Sequence, residues 1–353
     1  MNLYLAMALL KLRTTVSLFL VIVISGLFFS SCNPARDNEQ GKPAVNDSIT
    51  DELTLLTQAV IASPAETKPL LERAVYYAHH DKFNEALADV NAALEKNDKD
   101  PEVYITLSEV YLYSGKTQRA LDALKKAKEL APENDKVDVN TARVYLTMSD
   151  YKQTFNALRE ALKKNPDNAE AFFISGLANE EIGDTIKAID SYQNAVARDK
   201  KHFDALKQLG ILFSLKRDPL AIDYLRNAAQ LKPEQPEPLY ILGMHYQENG
   251  QPDKALSVYQ EILQIDSTFK IAHYNTGYVY MVYKQEYANA IDAFSRALKI
   301  DPEYSDALYN RGYAKELSGN FTEARKDYQQ VLRMKINDDK AVQGLNRLDA
   351  LEK

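Results

Sequence analysis

The sequence predicts an all-α protein in which pairs of helices stack one after another as a solenoid. The first observation is a series of small residues spaced 33 to 35 positions apart, namely Ala74, Ser108, Ala142, Gly176, Gly210, Gly243, Gly277 and Gly312. A second small-residue series accompanies it with the same spacing, namely Ala86, Ala120, Thr154, Ala188, Ala221, Ala255, Ala290 and Ala324. Self-similarity at this period is typical of repeat proteins whose units pack on their neighbours.

The residue pattern within each repeat predicts two amphipathic helices joined by a short turn. In the second repeat, residues 101–113 form the first helix pattern, Ser114-Gly115-Lys116 breaks it, and residues 117–130 form the second pattern before Ala131-Pro132. Glycine in the break and proline after the second pattern are the expected helix-ending residues. The small residues Ser108 and Ala120 therefore fall where the two helices cross, because a small side chain allows close approach of two backbones.

This pattern resembles the tetratricopeptide repeat (TPR). The sixth repeat carries its motif most fully, with Leu239, Leu242, Gly243, Tyr246, Ala255 and Tyr259 in order, and it departs at Ile262 and Ser267. Other departures are Asn179 and Lys200 in the fourth repeat, and Arg311, Lys315, Val331 and Ile336 in the eighth. The motif is degenerate, so these departures leave the fold prediction unchanged. The resemblance implies a right-handed α-α superhelical solenoid of TPR helix pairs, with the first helix of each pair lining a concave groove.

Eight repeats are predicted across residues 67–338, with capping elements on both sides. The repeat bounds are 67–100, 101–134, 135–168, 169–202, 203–235, 236–269, 270–304 and 305–338. The fifth repeat is one residue short and the seventh one residue long, and we expect both changes in the turn between the helices. Residues 51–66 are predicted as an N-terminal capping half-repeat, and residues 339–353 as a C-terminal capping helix.

The N-terminal region has the pattern of a targeting signal followed by a membrane anchor. In residues 1–31, Lys11 and Arg13 precede an apolar run over residues 16–29, which is short for a membrane span and typical of a signal peptide. Phe29-Ser30-Ser31-Cys32 resembles a bacterial lipobox, with Phe29 where leucine is usual. That resemblance implies a lipoprotein signal peptide and acylation of Cys32. An ordinary signal peptide, or an uncleaved anchor with an incidental cysteine, is the alternative.

Residues 32–50 follow as the acylated cysteine and a polar tether. As a flexible coil, the eighteen residues after Cys32 reach about 20–25 Å. Asn33 stands where aspartate can signal retention in the inner membrane of such lipoproteins. The predicted location is therefore the cell envelope, with the chain lipid-anchored in the outer membrane and facing the periplasm.

Composition argues against nucleic acid binding and offers no catalytic constellation. The net charge is −7, whereas proteins that bind nucleic acid present basic surfaces to the phosphates. The five histidines are His79, His80, His202, His245 and His273, and none stands in a metal-binding or catalytic motif. Acids recur at the starts of first helices, where they compensate the helix dipole; a row of cation ligands is the alternative. We expect no enzyme activity, no cofactor and no metal.

The predicted partner-binding groove lies on the first helices of the last three repeats. Carrying over the groove-lining positions of the TPR family, with flanking asparagines, gives Tyr240, Met244, Tyr274, Asn275, Tyr278, Met281, Tyr309, Asn310 and Tyr313. Tyrosine combines apolar area with a hydroxyl and loses little rotamer entropy on binding. The alternative is that these tyrosines fill the interior of the solenoid. A clamp for a chaperone-tail carboxylate is not expected, because the family's lysine position is matched only by Lys207 and its asparagine position nowhere.

The sequence therefore predicts a lipid-anchored scaffold or adaptor that binds a protein or peptide partner in the groove. A glycan-binding guide module of a polysaccharide secretion system is the alternative function, because tyrosine rings also stack on sugars. The identity of the partner, the pathway, the membrane leaflet and the oligomeric state stay open at this stage.

Overall fold

The computed structural model describes residues 52–351. The predicted signal peptide, Cys32 and the tether lie outside the described residues. Within residues 52–351, no helix combines the length and the apolar character that crossing a bilayer requires. All regular secondary structure in this part of the chain is helical, which confirms the predicted all-α class.

The described chain divides into two compact units, the first ending at Arg198 and the second beginning at Asp199. The helices of the first compact unit are Glu52–Ala62 (α1), Lys68–His79 (α2), Phe83–Lys96 (α3), Pro101–Tyr113 (α4), Thr117–Leu130 (α5), Asp135–Thr147 (α6), Tyr151–Lys164 (α7), Ala169–Glu181 (α8) and Thr185–Arg198 (α9). Those of the second are Phe203–Leu215 (α10), Leu220–Leu231 (α11), Glu237–Glu248 (α12), Pro252–Ile265 (α13), Lys270–Val279 (α14), Tyr287–Ile300 (α15), Ser305–Leu317 (α16), Phe321–Met334 (α17) and Asp339–Leu351 (α18). A five-residue π-helix, Tyr280–Lys284, continues α14.

Within each compact unit the helices pack in consecutive pairs. In the first, α2 packs on α3, α4 on α5, α6 on α7 and α8 on α9, and the second helices α3, α5 and α7 also pack on the first helix of the next pair. The second compact unit repeats this arrangement from α10 to α17, and α18 packs on α17. The stacking of pairs confirms the predicted solenoid of helix pairs.

Glycine stands in the first helix of a pair where the second helix presents a large side chain. A Cβ added to Gly176, Gly243 or Gly277 would lie under 3.0 Å from the ring of Tyr192, Tyr259 or Phe294, respectively. The equivalent positions in the first three repeats hold Ala74, Ser108 and Ala142, and there the second helix supplies the smaller Val90, Leu124 and Leu158. In these six repeats glycine therefore accompanies an aromatic ring, whereas in the fifth repeat Gly210 packs against Leu225.

A residue in the left-handed backbone region ends the turn after the first helix of every pair. Four of these residues are glycine, namely Gly115, Gly183, Gly250 and Gly319. The other four are Asp81, Ser149, Arg217 and Gln285, with φ between 55° and 59°. This conformation costs a residue with a Cβ atom about 1–2 kcal/mol. These four turns are therefore locally strained, and the surrounding packing offsets the strain.

The extra residue of the seventh repeat lies in a helix, and our expectation that it falls in the turn is wrong. It is absorbed by the π-helix at Tyr280–Lys284, and only Gln285 and Glu286 separate this segment from α15. A π-turn accommodates an inserted residue because its hydrogen bonds reach one residue further along the chain than those of an α-helix. In the short fifth repeat the change does fall around the turn, where residues 216–219 separate α10 from α11.

The departure from the TPR motif at Arg311 has a structural cause. The Arg311 guanidinium donates two hydrogen bonds to the Asp327 carboxylate, at 2.9 and 2.7 Å, and the Lys315 ammonium lies 2.7 Å from the same carboxylate. The first repeat contains the same arrangement, with Arg73 donating to Asp89 at 2.8 and 2.7 Å. The buried aspartates are thus paired at good geometry, as a buried charge requires.

Helix α18 packs against the last helix pair through the face that carries Gly344 and Arg347. Gly344 of α18 lies against the ring of Tyr328, where an added Cβ would come within 2.7 Å of Cζ. Tyr328 donates a hydrogen bond of 2.6 Å to Glu316, and Arg347 of α18 donates two more to that carboxylate at 2.7 and 2.8 Å. Helix α18 therefore closes the stack with both a ring contact and a charged pair.

Candidate partner-binding surface

The nine predicted groove residues lie on the first helices of the last three pairs, all in the second compact unit. Helix α12 carries Tyr240 and Met244, helix α14 with its π-helical continuation carries Tyr274, Asn275, Tyr278 and Met281, and helix α16 carries Tyr309, Asn310 and Tyr313. We call Tyr240, Tyr274, Tyr278, Tyr309 and Tyr313 the tyrosine row. All five of these side chains are partly buried and partly exposed.

Tyr274 is the most firmly held member of the tyrosine row. Its ring centroid lies 5.1 Å from that of Tyr304 and 5.7 Å from that of Phe294. The Asn310 amide of the next first helix donates a 2.9 Å hydrogen bond to its hydroxyl. Burial raises the pKa of Tyr274 well above its ordinary value, so the hydroxyl stays protonated. The ring is fixed in position before any partner arrives.

Two further tyrosines of the row stack on each other along α16. The rings of Tyr309 and Tyr313 are nearly parallel, with an interplanar angle of 10° and centroids 6.3 Å apart. The capping helix supplies a cation to each ring, with Lys340 at 5.9 Å from Tyr309 and Arg347 at 5.3 Å from Tyr313. Such cation–ring contacts stabilise by about 0.5–1 kcal/mol at exposed sites.

The row continues at Tyr240 and Tyr278, which contact aromatic residues that sequence reasoning missed. Phe269, the residue before α14, lies 6.3 Å from Tyr240, and Tyr283 of the π-helix lies 6.4 Å from Tyr278, both edge to face. Tyr304, the residue before α16, contacts Tyr274 from the equivalent position, but more closely and with a smaller angle between the rings than Phe269 and Tyr240. The available signal was an aromatic residue immediately before two successive first helices.

A half-buried carboxylate lies near this row. Burial raises the pKa of Glu248, at the end of α12, and Arg217 partly opposes the shift. The pKa of Tyr240 is raised by burial, with Glu248 adding to the shift and a hydrogen bond to Asn275 opposing it. Tyr240 therefore also presents a neutral hydroxyl at ordinary pH.

Two of the predicted groove residues are buried beneath the row. Asn275 lies within hydrogen-bond distance of the Met244 sulfur, at 3.3 Å, and of the Tyr259 hydroxyl, at 3.4 Å. Met281 is 5% exposed and belongs to the core formed by the last helix pairs. These side chains support the surface from beneath. Their contact with a partner stays a prediction.

The corresponding first-helix positions of the first compact unit are core residues. Leu71, Ile105, Val139 and Phe173 occupy the places that Tyr240, Tyr274 and Tyr309 take in the second, and they are between 4% and 7% exposed. Lys207, the one lysine at this position, pairs with Glu237 at 3.1 Å. A row of partly exposed aromatic side chains is thus a property of the last three repeats.

Two of the histidines, His245 and His273, are buried and hydrogen-bonded within the fold. His245 is 5% exposed and shares a 3.0 Å hydrogen bond with Ser214, and burial lowers its pKa. His273 is buried, with a ring nitrogen 3.2 Å from the Ser267 carbonyl oxygen. Across residues 52–351, no three histidine, cysteine, aspartate or glutamate side chains come together as metal ligands.

Four family models match the chain. The TPR domain of cytochrome c-type biogenesis protein H matches residues 90–194, a TPR repeat matches residues 282–319, and two tetratricopeptide repeats match residues 236–269 and 306–334. The matched segments are tetratricopeptide repeats. Among curated proteins, nothing matches the sequence.

Solved TPR structures resemble the chain at low sequence identity. The C-terminal part of a TPR repeat-containing protein from Cytophaga hutchinsonii superposes with a TM-score of 0.59 at 20% identity, covering 68% of this chain and 98% of that one. MamA gives a TM-score of 0.41 at 23% identity, covering 47% of this chain and 92% of that one. The first of these likenesses shows the TPR fold.

Proposed function

We propose that this protein is a lipid-anchored scaffold or adaptor of the bacterial cell envelope, and that it binds a protein or peptide partner on the tyrosine row. The observation that carries the proposal is the row itself, five tyrosines on three successive first helices with rings partly exposed. At the position of Tyr240, Tyr274 and Tyr309, the first compact unit holds buried aliphatic and phenylalanine side chains. At the position of Tyr278 and Tyr313 it holds no aromatic residue.

The geometry of the row favours binding because its members are already ordered. Tyr274 is fixed by two ring contacts and the Asn310 hydrogen bond, and Tyr309 is stacked on Tyr313. Immobilising a free side chain at an interface costs about 0.5–1.5 kcal/mol, so a row held in place before binding avoids much of that loss. Tyrosine also supplies both a flat apolar face and a hydroxyl, which suits peptide recognition.

The experiment is photo-crosslinking in intact cells with a benzophenone amino acid placed at Tyr278 or Tyr313. We expect a crosslinked protein adduct from these positions. The matched control places the same group at Tyr104 or Tyr145, which are also half-buried tyrosines but lie in the first compact unit. Adducts of equal yield at control and row positions, or none from the row, would contradict a binding site at the row.

The anchor and the location rest on the sequence around Cys32. Acylation there would supply several chains, which hold a protein at a membrane where one chain gives marginal binding. Labelling cells with palmitate should mark the wild-type chain, and Cys32→Ser should lose both the label and the membrane fraction. A Cys32→Ser chain that still labels or sediments with outer membranes would refute the anchor.

A glycan-guiding function is the second candidate, and the stacked pair of Tyr309 and Tyr313 favours it. Nearly parallel aromatic faces can receive the flat faces of sugar rings. Calorimetric titration of the chain with defined oligosaccharides would then give heat that disappears in Tyr309→Ala. A protein adduct from the crosslinking experiment together with silent titrations would eliminate the glycan function.

A further inference from the structure

Glu248, the last residue of α12, differs from the other charged side chains of α12, α14 and the π-helix. These helices carry four charged side chains other than histidine. Three of them form ion pairs, namely Glu237 with Lys207 at 3.1 Å, Lys270 with Asp301 at 2.6 Å and Lys284 with Asp253 at 2.7 Å. Within residues 52–351, the carboxylate of Glu248 forms neither an ion pair nor a hydrogen bond. On these helices it is therefore the charge that a partner can neutralise.

The carboxylate of Glu248 lies among tyrosine hydroxyls. Burial raises the pKa of this carboxyl group. Burial, then Tyr278 and Glu248, raise the pKa of Tyr283 in the π-helix. Burial also raises the pKa of Tyr240, and Glu248 adds to that shift. Because the interaction between charges falls off with distance, the Glu248 carboxylate lies near rings of its own helix and of the π-helix.

Tyr278 and Tyr283 form a corner of two rings beside this carboxylate. Their centroids are 6.4 Å apart and their planes meet at 63°, which is an edge-to-face contact. Both side chains are partly exposed, as is Glu248. The corner depends on the extra residue of the seventh repeat, because Tyr283 lies in the π-helix that absorbs it. Such π-helical turns occur frequently at functional sites, and across residues 52–351 only the seventh pair contains one.

Elsewhere in the chain, a carboxylate beside a tyrosine ring holds an arginine. In the eighth repeat, Arg347 donates two hydrogen bonds to Glu316 and lies 5.3 Å from the ring centroid of Tyr313. The first repeat has the same combination, namely Arg73, Asp89 and Tyr77. A guanidinium suits both components, because its N–H groups pair with a carboxylate while its planar face stacks on an aromatic ring. Glu248 and the tyrosine corner offer the same two components.

Arg217 does not take that place in the described part of the chain. Its exposed side chain lies on the turn after α10 and forms no ion pair there. Burial raises the pKa of Glu248 and of Tyr283, and the charge of Arg217 opposes both shifts from beyond ion-pair distance. A further cation at Glu248 would be repelled by Arg217. The effect of removing Arg217 therefore distinguishes a site for cations from a site for anions.

We propose that Glu248, together with the corner of Tyr278 and Tyr283, receives an arginine side chain of the partner protein. The guanidinium donates hydrogen bonds to the Glu248 carboxylate, and its planar face lies against a tyrosine ring. This inference rests on the proposed function, because it names the chemistry that the tyrosine row recognises. It adds to the row a charged group that decides which peptide segments are accepted.

NMR titration of the full chain in detergent, with isotope-labelled tyrosine rings, tests the inference. The probes are the acetylated and amidated pentapeptide Ala-Leu-Arg-Leu-Ala and its counterpart with citrulline, which has the shape of arginine without the charge. We expect the arginine peptide to bind more tightly by about tenfold, or 1.4 kcal/mol. The ring signals of Tyr278 and Tyr283 should shift on binding. Glu248→Gln should remove this preference, because it removes the charge that pairs with the guanidinium.

Two further variants test the place and the sign of the charge. Glu237→Gln makes the same change near the other end of α12, about 16 Å away along the helix axis, where Glu237 already pairs with Lys207. It should leave the preference for arginine unchanged. Arg217→Gln should increase the affinity for the arginine peptide, because it removes a repelling cation, and should leave the citrulline peptide unaffected.

No binding of the arginine peptide, equal affinity for the two peptides, or an undiminished preference in Glu248→Gln would each overturn the inference. Weaker binding of the arginine peptide by Arg217→Gln would do the same, since it would indicate a site for anions. Equal losses in Glu237→Gln and Glu248→Gln would show only a general attraction between a cation and an acidic helix. The crosslinking experiment at Tyr313 separates these failures from that of the proposed function. A protein adduct obtained there despite any of these results would leave the tyrosine row as a binding site and show that only the arginine is wrong.

Discussion

Replacing Gly243 by alanine should destabilise the second compact unit through one steric contact. The added Cβ would lie 2.9 Å from Cδ1 of Tyr259 and 3.0 Å from Cζ, and nearer still to Cε1, which is closer than real Cβ atoms come to such neighbours. The ring has no room to withdraw, because Tyr259 is fully buried and its hydroxyl donates a 3.0 Å hydrogen bond to Gln247. The helices must therefore separate slightly, or the ring must leave its rotamer.

The expected size of the effect follows from two opposing contributions. Overpacking a buried site costs about 1–3 kcal/mol, while alanine is about 1 kcal/mol better than glycine in a helix. The net loss should therefore lie between zero and about 2 kcal/mol, toward the upper end because the ring cannot withdraw. The assays are urea unfolding followed by circular dichroism and native-state hydrogen exchange of α12 amides, because a repeat array need not unfold in a single step.

Two variants control for the helix-propensity contribution. Gly312→Ala makes the same chemical change at the equivalent position, but its Cβ would lie 3.0 Å from the nearest atom of Tyr328, so it should cost less. Combining Gly243→Ala with Tyr259→Leu recreates the pairing of Ala142 with Leu158 in the third repeat. The loss of unfolding free energy in the double variant should be smaller than the sum of the two single losses by at least about 1 kcal/mol. If Gly243→Ala costs no more than Gly312→Ala, or the two losses simply add, the steric reasoning is wrong.

Three further predictions concern the turns and the charged pairs. Ser149→Gly should raise the free energy of unfolding by about 1 kcal/mol, because it removes a left-handed Cβ; Ser114→Gly, at a turn residue with negative φ, should not. Burial alone would raise the pKa of Glu316, but its hydrogen bonds hold the pKa below the ordinary value of about 4.3. Its stabilising contribution is therefore complete above that pH and is lost as pH falls through the folded pKa, so the wild type should lose more stability than Glu316→Gln between pH 5 and about pH 3. Asp327→Asn should cost about 2 kcal/mol in urea unfolding, because the Arg311 guanidinium loses its charged partner; a loss below about 0.5 kcal/mol would show that the pair is screened like a surface ion pair.

The period of the small residues was enough to predict the helix pairs, because a crossing of two helices tolerates little besides glycine, alanine or serine. The place of the extra residue in the seventh repeat was not predictable in this way. A longer turn and a π-helix satisfy the same spacing, and the choice depends on the packing of Tyr280 and Met281 against neighbouring helices.

The sequence was enough to predict which residues form the tyrosine row, but not how deeply each side chain of the predicted groove is buried. Equivalent positions in a repeat share a face of the first helix, which located Tyr274 and Tyr309, yet Asn275 on the adjoining position is buried. Burial depends on side chains from the following pair, such as Tyr304; the sequence marks the position of that ring before a first helix but not the direction in which it packs. The hydrogen bond between Ser175 and Ser191 was also not predicted, because the two hydroxyls become neighbours through the crossing of α8 and α9.

The matching of glycines with large rings limits how these repeats can be exchanged. A first helix from the third repeat would bring Ala142 against the aromatic ring in the second helix of the sixth, and the two could not close as they now do. Recombination inside a pair should therefore destabilise the fold, whereas exchange at the loops between pairs carries both members of the match together. Duplication, shuffling and engineering of this chain should consequently proceed by whole hairpins, with natural breakpoints such as the loop between Leu130 and Asp135.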